Sequence, residues 1–149
     1  MNVIDKYYDT YMPSSSVPRL TLSDFSSCGS LTAPLFKSLT TVVLFYVPEC
    51  RFCQDFSGEL RKFADEYASK IGATAAAIDM SLTNNYPLVV ASENFPYKLG
   101  DVFPTIMIYY KGKPCSSYTS TRTATGLVDF ITKNIGVGKT CSFKFVPCD

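Results

Sequence analysis

Two cysteines separated by two residues are the feature of this sequence that most directly suggests chemistry. Cys50 and Cys53 enclose Arg51 and Phe52 in a Cys-x-x-Cys motif. A thiolate is both a nucleophile and a metal ligand, so such a pair can exchange disulfides or supply half of a zinc site. Only about 3% of an ordinary thiol, with a pKa near 8.5, is ionised at pH 7. The surroundings of the pair must therefore favour the thiolate.

The motif lies between a predicted strand and a predicted helix. Residues 42–47 are an apolar run of β-branched and aromatic side chains that Pro48 ends, which is typical of a buried strand. Residues 54–71 carry apolar side chains at helical spacings, and Gly72 follows where a helix C-cap is expected. Cys50 is therefore predicted near a helix N-terminus, where the helix dipole and free N–H groups stabilise negative charge.

These positions give the two cysteines different predicted roles. We expect Cys50 to be the attacking thiolate and Cys53 to be the more buried, resolving thiol. Arg51 adds a positive charge beside the first cysteine, whereas the carboxylate of Glu49 opposes it. The competing interpretations of the pair are a structural disulfide and an inert buried pair.

Composition excludes several other classes of function. The chain has 149 residues, 46% hydrophobic and 18% charged, which is typical of one globular domain. Its net charge is +1 and its basic residues are scattered along the sequence, which argues against a nucleic-acid-binding protein. No apolar run is long enough to span a membrane, and no secretory signal is predicted at the N-terminus.

The sequence contains no histidine, which excludes Ser-His and Cys-His catalysis and histidine-based metal sites. Zinc would then need cysteines and carboxylates, and the remaining cysteines form no second short pair. We therefore predict no metal and no cofactor. The four remaining cysteines are Cys28, Cys115, Cys141 and Cys148.

The rest of the chain alternates between predicted strands and helices around this motif. The order predicts an α/β sandwich with one central sheet and helices on both faces. We divide the chain into an N-terminal arm (1–18), a domain (19–136) and a cysteine-containing C-terminal tail (137–149). The further predicted elements are a short strand at 19–22, a helical turn at 34–39, a strand at 73–80, a short helix at 88–94, hairpin strands at 106–110 and 115–119, and a helix at 126–135.

Three motifs resemble those of protein disulfide isomerase catalytic domains, members of the thioredoxin superfamily. Residues 45–53, Phe-Tyr-Val-Pro-Glu-Cys-Arg-Phe-Cys, resemble Phe-Tyr-Ala-Pro-Trp-Cys-Gly-His-Cys of those domains. Residues 103–105, Phe-Pro-Thr, resemble their Tyr-Pro-Thr, whose proline is cis and faces the cysteines. The pattern from Tyr118 to Arg122 is similar to their Tyr-x-Gly-x-Arg. The resemblance covers roughly residues 20–136, with the motifs in the same order and at similar spacing.

The resemblance implies a thioredoxin-like three-layer sandwich with a central mixed β-sheet flanked by helices. It also implies a thiol–disulfide oxidoreductase that exchanges protein disulfides, with protein thiols and disulfides as substrates and a redox protein as a partner. Arg122 would then approach the second cysteine and help its proton leave; the alternative is a surface arginine. No nucleic acid or membrane partner is expected.

Three residues around the motif are predicted to bind substrate. Phe52 and Phe103 would offer apolar contacts beside the sulfurs, and the alternative for each is ordinary core packing. A cis bond before Pro104 would turn the Phe103 backbone towards an extended peptide; a trans proline at a strand edge is the alternative.

Departures from the family pattern support a second functional hypothesis. Leu44 stands where the family has a buried acid that helps deprotonate the second cysteine, and Glu49 replaces a tryptophan. Ser120 replaces the glycine of the family's Tyr-x-Gly-x-Arg pattern. The alternative to an enzyme is a non-catalytic thioredoxin-fold module that binds a peptide or partner chain.

The cysteines outside the motif leave the pairing and the location open. Cys141 and Cys148 enclose a short loop that a local disulfide can close, with Cys28 and Cys115 as buried free thiols. Alternatively, one of the latter two ties down the tail. Without a predicted signal the expected location is cytoplasmic. Disulfides on the tail would instead indicate an oxidising place, such as a virion or another assembly compartment.

Overall fold

The structure is a computed structural model that describes residues 16–100, 102–136, 138–139 and 141–143. A single four-stranded sheet has the order β2-β1-β3-β4, with β1 parallel to β2 and the other neighbours antiparallel. The strands are β1 (Thr40–Tyr46), β2 (Ala73–Asp79), β3 (Thr105–Tyr110) and β4 (Lys113–Ser117). The α-helices are α1 (Arg51–Lys62), α2 (Pro87–Ala91) and α3 (Ala124–Asn134).

Helices cover both faces of the sheet because successive side chains of β1 point to opposite sides. Val42, Leu44 and Tyr46 belong to one buried cluster, which also holds side chains of α1 and α3. Val43 and Phe45 belong to the second cluster, which includes Leu88 of α2 and the aromatic residues Phe95 and Tyr97. The predicted thioredoxin-like three-layer α/β sandwich with a mixed sheet is therefore confirmed.

Strand register brings two of the predicted motifs to one end of the sheet. In the antiparallel pairing of β1 with β3, Phe45 lies opposite Thr105. The segment that follows β1 carries Cys50, and the segment that precedes β3 carries Phe103 and Pro104. Both segments therefore lie at the same end of the sheet.

The first helix begins earlier than predicted and changes its winding. It starts at Arg51, within the cysteine motif, and continues beyond Lys62 as a π turn (Phe63–Tyr67) and a 3₁₀ turn (Ala68–Ile71). Gly72 then adopts a left-handed conformation with φ of +66°, so the predicted C-cap is confirmed.

The predicted strand at 19–22 was wrong in extent. Arg19 makes only an isolated parallel bridge to Ala77, and a 3₁₀ turn (Leu22–Asp24) follows. The chain turns because Asp24 accepts a hydrogen bond from the backbone N–H of Thr21 at 2.7 Å. A 3₁₀ turn at Pro34–Ser38 confirms the predicted helical turn there.

A disulfide ties the described part of the tail to the sheet. Cys115 of β4 is bonded to Cys141, with the Cα atoms 4.6 Å apart. The local pairing of Cys141 with Cys148 was therefore wrong, and so was a free thiol at Cys115. Cys28 is also disulfide-bonded rather than free. Residue 148 and the N-terminal residues 1–15 lie outside the described part of the chain.

No helix in the described part of the chain has both the length and the apolar character that crossing a membrane requires.

Candidate active site

The cysteine motif is held by backbone and side-chain hydrogen bonds at the junction of β1 and α1. The N–H of Cys50 donates to the carbonyl of Val47 at 3.1 Å, which closes a turn around Pro48. The side-chain amide of Gln54 donates to the carbonyl of Pro48 at 2.8 Å. The backbone N–H of Gln54 donates to the carbonyl of Cys50 at 3.1 Å. The turn is therefore fixed to the first turn of the helix.

Cys50 is the N-cap residue of α1 and is disulfide-bonded to Cys53. The Cα atoms of the pair are 5.2 Å apart, and the Cys50 sulfur accepts a hydrogen bond from the Cys53 N–H at 3.1 Å. Cys53 is completely buried, whereas Cys50 is partly exposed. An incoming thiol or disulfide therefore reaches Cys50 before Cys53.

The charges near the cysteine pair come from the N-terminus of α1 and from the neighbouring residues Arg51 and Glu49. The first turn of α1 contains no acidic residue, so no carboxylate there opposes the stabilisation of negative charge at Cys50 by the helix N-terminus. Arg51 and Glu49 are both exposed, which weakens their opposing effects through solvent screening.

Leu44 lies fully buried in the cluster that contains Cys53 and offers no carboxylate to it. Among the described residues, no three cysteine, histidine or acidic side chains gather into a group that could hold a metal ion.

Two of the predicted site residues, Phe52 and Arg122, contact each other. Phe52 is 63% exposed, so its side chain is not part of the core. The guanidinium carbon of Arg122 lies 6.0 Å from the centre of its ring, a cation–π contact. Arg122 therefore lies beside the residue that precedes Cys53 in the sequence.

The loop that carries Arg122 is fixed by a neighbouring tyrosine. The hydroxyl of Tyr118 donates to the carbonyl of Thr121, and its ring packs edge-on against Phe130 with the ring centres 5.2 Å apart. Burial raises the pKa of Tyr118, and nearby Asp129 adds to the effect. The hydroxyl therefore stays protonated and keeps donating.

A glutamate joins this loop to the helix that carries the cysteines. Glu59 of α1 accepts a hydrogen bond from the backbone N–H of Ala124, the first residue of α3, at 2.9 Å. Thr123 caps α3 through a bond from the Gly126 N–H at 3.0 Å. Both contacts satisfy N–H groups at the start of α3, so they fix where the helix and the loop before it begin.

The residues of the segment before β3 differ in how deeply they are buried. The bond between Phe103 and Pro104 is cis. Pro104 is buried, and Phe103 is partly buried and packs against both core clusters, as its core-packing interpretation expects. Val102, which the sequence did not single out, is 68% exposed and offers the larger apolar surface. Thr105 donates to its carbonyl at 2.7 Å.

Sequence reasoning missed Glu59, Val102 and the hydrogen bond from Tyr118 to Thr121. Glu59 bonds to a residue 65 positions away, and no local pattern in the sequence marks such a contact. Tyr118 was part of the pattern that ends at Arg122, but its hydrogen bond depends on how the loop that contains Thr121 folds.

Comparison with known proteins agrees with this geometry. The Thioredoxin family profile matches residues 31–133, well over half of the chain. No curated protein matches the sequence at a significant level. Solved structures below 25% identity nevertheless share the fold.

Three solved structures illustrate the similarity. The zinc-bound form of human ERp44 has a TM-score of 0.62 at 16% identity, over 82% of this chain and 31% of its own. The J-Trx1 fragment of ERdj5 has a TM-score of 0.60 at 21% identity, over 85% of this chain and 54% of its own. The first two thioredoxin domains of Naumovozyma dairenensis Eps1p have a TM-score of 0.61 at 19% identity, over 82% and 42%.

The chain thus spans from about a third to about half of the length of those structures. The matching profile, the mixed sheet and the Cys-x-x-Cys pair at the start of α1 lead to one assignment. The chain belongs to the thioredoxin family.

Proposed function

We propose that this protein is a thiol–disulfide oxidoreductase acting on protein thiols and disulfides. The observation that carries the proposal is the bridged pair of Cys50 and Cys53 at the N-terminus of α1. Cys50 is the accessible partner, and its sulfur already accepts a backbone N–H. A thiolate at the same position would accept the same hydrogen bond.

The reaction proceeds in two exchange steps. In the reduced protein the Cys50 thiolate attacks one sulfur of a substrate disulfide, which breaks the S–S bond and releases a substrate thiolate. Cys53 then loses its proton and attacks the Cys50 sulfur. The second substrate thiolate leaves, the substrate has gained two electrons, and the Cys50–Cys53 disulfide remains. The same steps in reverse oxidise a dithiol substrate.

Arg122 assists the second step in this proposal. With Leu44 in place of a buried acid, no carboxylate accepts the Cys53 proton from that position. Arg122 contacts Phe52, the residue before Cys53, and a cation near the Cys53 sulfur would favour the thiolate that must form there. Arg122 is thus proposed as the catalytic group that helps the resolving thiol ionise.

Phe52, Phe103 and Pro104 are the proposed contacts for the substrate chain. Phe52 stands between the two cysteines in the sequence and its ring is exposed, and the segment that contains Phe103 and Pro104 lies at the same end of the sheet. A peptide that carries a disulfide can pack apolar side chains against this surface. A redox protein that reduces or oxidises the pair is the expected second partner.

The bond between Cys115 and Cys141 favours an oxidising location over the cytoplasm. We propose an assembly compartment or virion in which structural disulfides persist.

The test combines an insulin-reduction assay with a trapping variant. We expect the intact protein to reduce insulin in the presence of dithiothreitol. Cys53→Ser should accumulate mixed disulfides on Cys50 that a second variant, Cys50→Ser, does not form. Absence of both activities would favour the non-catalytic binding module that Leu44 and Glu49 suggest.

A further inference from the structure

Arg122 lies at the apex of a tight turn. The N–H of Thr123 donates to the carbonyl of Thr121 at 2.9 Å. A hydrogen bond between a residue and the second residue after it closes a γ-turn, and Arg122 is the central residue of this one. The direction in which the Arg122 side chain leaves the backbone is therefore tied to the orientation of the turn.

The contact between Arg122 and Phe52 is too weak to hold this turn in place. Both residues are exposed to solvent. A cation–π contact at an exposed site favours the contacting arrangement by only about two- to fivefold. The side chains of residues 119–122 are all exposed, so burial does not fix the loop between its ends. The position of the turn therefore depends on contacts at the two ends of the loop, the buried residues Tyr118 and Ala124.

Tyr118 fixes the first end of the loop against α3. Its hydroxyl donates to the Thr121 carbonyl, the same group that closes the γ-turn. Its ring is buried and packs edge-on against Phe130 of α3. Gly126 leaves room for this arrangement, since a Cβ there would lie 2.5 Å from the carbonyl oxygen and 2.9 Å from the hydroxyl oxygen. The turn is thereby connected to α3.

Glu59 connects the second end of the loop to the helix that carries the cysteines. Its carboxylate accepts the N–H of Ala124, two residues after Arg122, at 2.9 Å. Ala124 is only 1% exposed, and a buried N–H that loses its acceptor is costly. The hydrogen bond runs from α1 to the start of α3, so it fixes the Arg122 turn relative to the Cys50–Cys53 pair.

Glu59 is not placed to take the Cys53 proton itself. It follows Cys53 by six residues, which corresponds to a rise of about 9 Å along an α-helix and a rotation of about 120° away from the face that carries Cys53. Its carboxylate is engaged by the Ala124 N–H. An effect of Glu59 on the chemistry therefore passes through the position of Arg122.

We propose that Glu59 and Tyr118 are positioning residues, which hold the turn of Arg122 where its guanidinium favours ionisation of Cys53. The inference rests on the proposed oxidoreductase function and concerns its second exchange step. In that step the Cys53 thiol gives its proton to water, and its thiolate sulfur bonds to the Cys50 sulfur. The mixed disulfide breaks, and the substrate leaves as a thiolate with the bonding electrons, so no other oxidant or reductant takes part.

Stopped-flow measurement of the second exchange step, with 2-hydroxyethyl disulfide as substrate, tests the proposal. Glu59→Ala should slow the step about fivefold, which is part of the roughly tenfold effect expected of the Arg122 charge. Glu59→Gln keeps an oxygen that can accept the Ala124 N–H, so it should keep at least about half of the rate. The matched control is Glu66→Ala, which removes an exposed carboxylate from the π turn that extends α1 and should leave the rate unchanged.

Tyr118→Phe tests the other end of the loop. It removes the hydroxyl that bonds to Thr121 and keeps the ring that packs against Phe130. We expect the second exchange step to slow about fivefold, as in Glu59→Ala, because the same turn is released.

Two further readouts separate positioning from a general loss of structure. The deficit of Glu59→Ala should shrink as pH rises, because at high pH the Cys53 thiol ionises without help from a nearby cation. In an Arg122→Gln background, Glu59→Ala should cause no further slowing, since it acts through Arg122. A variant that only loosened the fold would slow the step equally at every pH and in both backgrounds.

The proposal is overturned if Glu59→Ala or Tyr118→Phe reacts at the unmodified rate, or if their slowing persists in full in the Arg122→Gln background. It is also overturned if Glu59→Gln loses as much as Glu59→Ala, since the carboxylate charge itself would then be required. The proposed function fails, and this inference with it, if the unmodified protein neither reduces insulin nor forms mixed disulfides through Cys50. Insulin reduction by the unmodified protein therefore separates the two failures.

Discussion

Arg122 and Phe52 are in contact although 70 residues separate them, with the guanidinium carbon 6.0 Å from the ring centre. Phe52 belongs to α1 and Arg122 to the loop that precedes α3. The contact therefore joins the helix that carries both cysteines to a segment from the end of the domain.

Arg122→Gln should slow the release of substrate from the mixed disulfide. The expected change is about tenfold, because one pKa unit at the Cys53 thiol is a tenfold change in its thiolate fraction. Stopped-flow measurement of the second exchange step, with a small disulfide as substrate, tests it. Lys98→Gln is the matched control, and an equal rate for Arg122→Gln and the unmodified protein would contradict the role of Arg122.

Leu44→Asp should restore a carboxylate behind Cys53 at a cost in stability. A buried, unpaired charge lowers the free energy of unfolding by about 3–5 kcal/mol. The second exchange step should nevertheless be about tenfold faster than in Leu44→Asn, which has a similar shape without the charge. Denaturant unfolding and the same stopped-flow assay measure both effects. Equal rates in the two variants would show that a missing acid does not limit this step.

Gly126→Ala and Gly58→Ala form a pair of opposite predictions. A Cβ at Gly126 would lie 2.5 Å from the Thr121 carbonyl oxygen, so the loop before α3 must shift, and we expect a loss of about 1–3 kcal/mol. A Cβ at Gly58 of α1 meets no atom within 4 Å, and alanine there should stabilise the helix by about 0.5–1 kcal/mol. Chemical denaturation measures both, and changes of the same sign would contradict the described packing.

The buried tyrosine pair should make stability fall at alkaline pH. Burial raises the pKa of both Tyr97 and Tyr109, whose hydroxyls bond to each other, and Tyr109 donates to the Gly29 carbonyl at 2.8 Å. Because the folded state holds these protons more tightly, their contribution is complete below the unfolded pKa of about 10 and is lost as pH rises above it.

Unfolding measured on both sides of about pH 10 tests this expectation. Tyr97→Phe should reduce the slope of stability against pH, since one of the two titrating groups is gone. Tyr86→Phe is the control, because Tyr86 is 61% exposed and its removal should leave the slope unchanged. An alkaline slope that persists in full without Tyr97 would contradict the prediction.

Removing the disulfide between Cys115 and Cys141 should lower the free energy of unfolding by about 3 kcal/mol. The bond closes a loop with a sequence separation of 26, and the loss follows from the greater freedom of the unfolded chain. The double variant Cys115→Ala and Cys141→Ala, unfolded with the Cys50–Cys53 pair intact, measures it. A loss below about 1 kcal/mol would mean that this disulfide constrains the unfolded chain little.

The sequence predicted the sheet, the helices and the cysteine junction because each depends on local patterns. The apolar run before Pro48 and the left-handed cap at Gly72 are examples, since neighbouring residues determine both. Contacts between residues far apart in the sequence are not marked by any local pattern. The bond from Ala124 to Glu59 and the contact of Arg122 with Phe52 depend on how the elements pack.

The outer strands of the sheet are partly covered by other segments of the protein. The carbonyl of Cys115 in β4 accepts the N–H of Phe143 at 3.0 Å. At the opposite side, Ala77 of β2 donates to Pro18 at 3.1 Å and accepts from Leu20 at 2.7 Å. Both margins are thus partly occupied by the protein's own segments, which limits edge-to-edge aggregation. A protein proposed to exchange the disulfides of other chains can in this way touch their sulfurs without recruiting their strands into its own sheet.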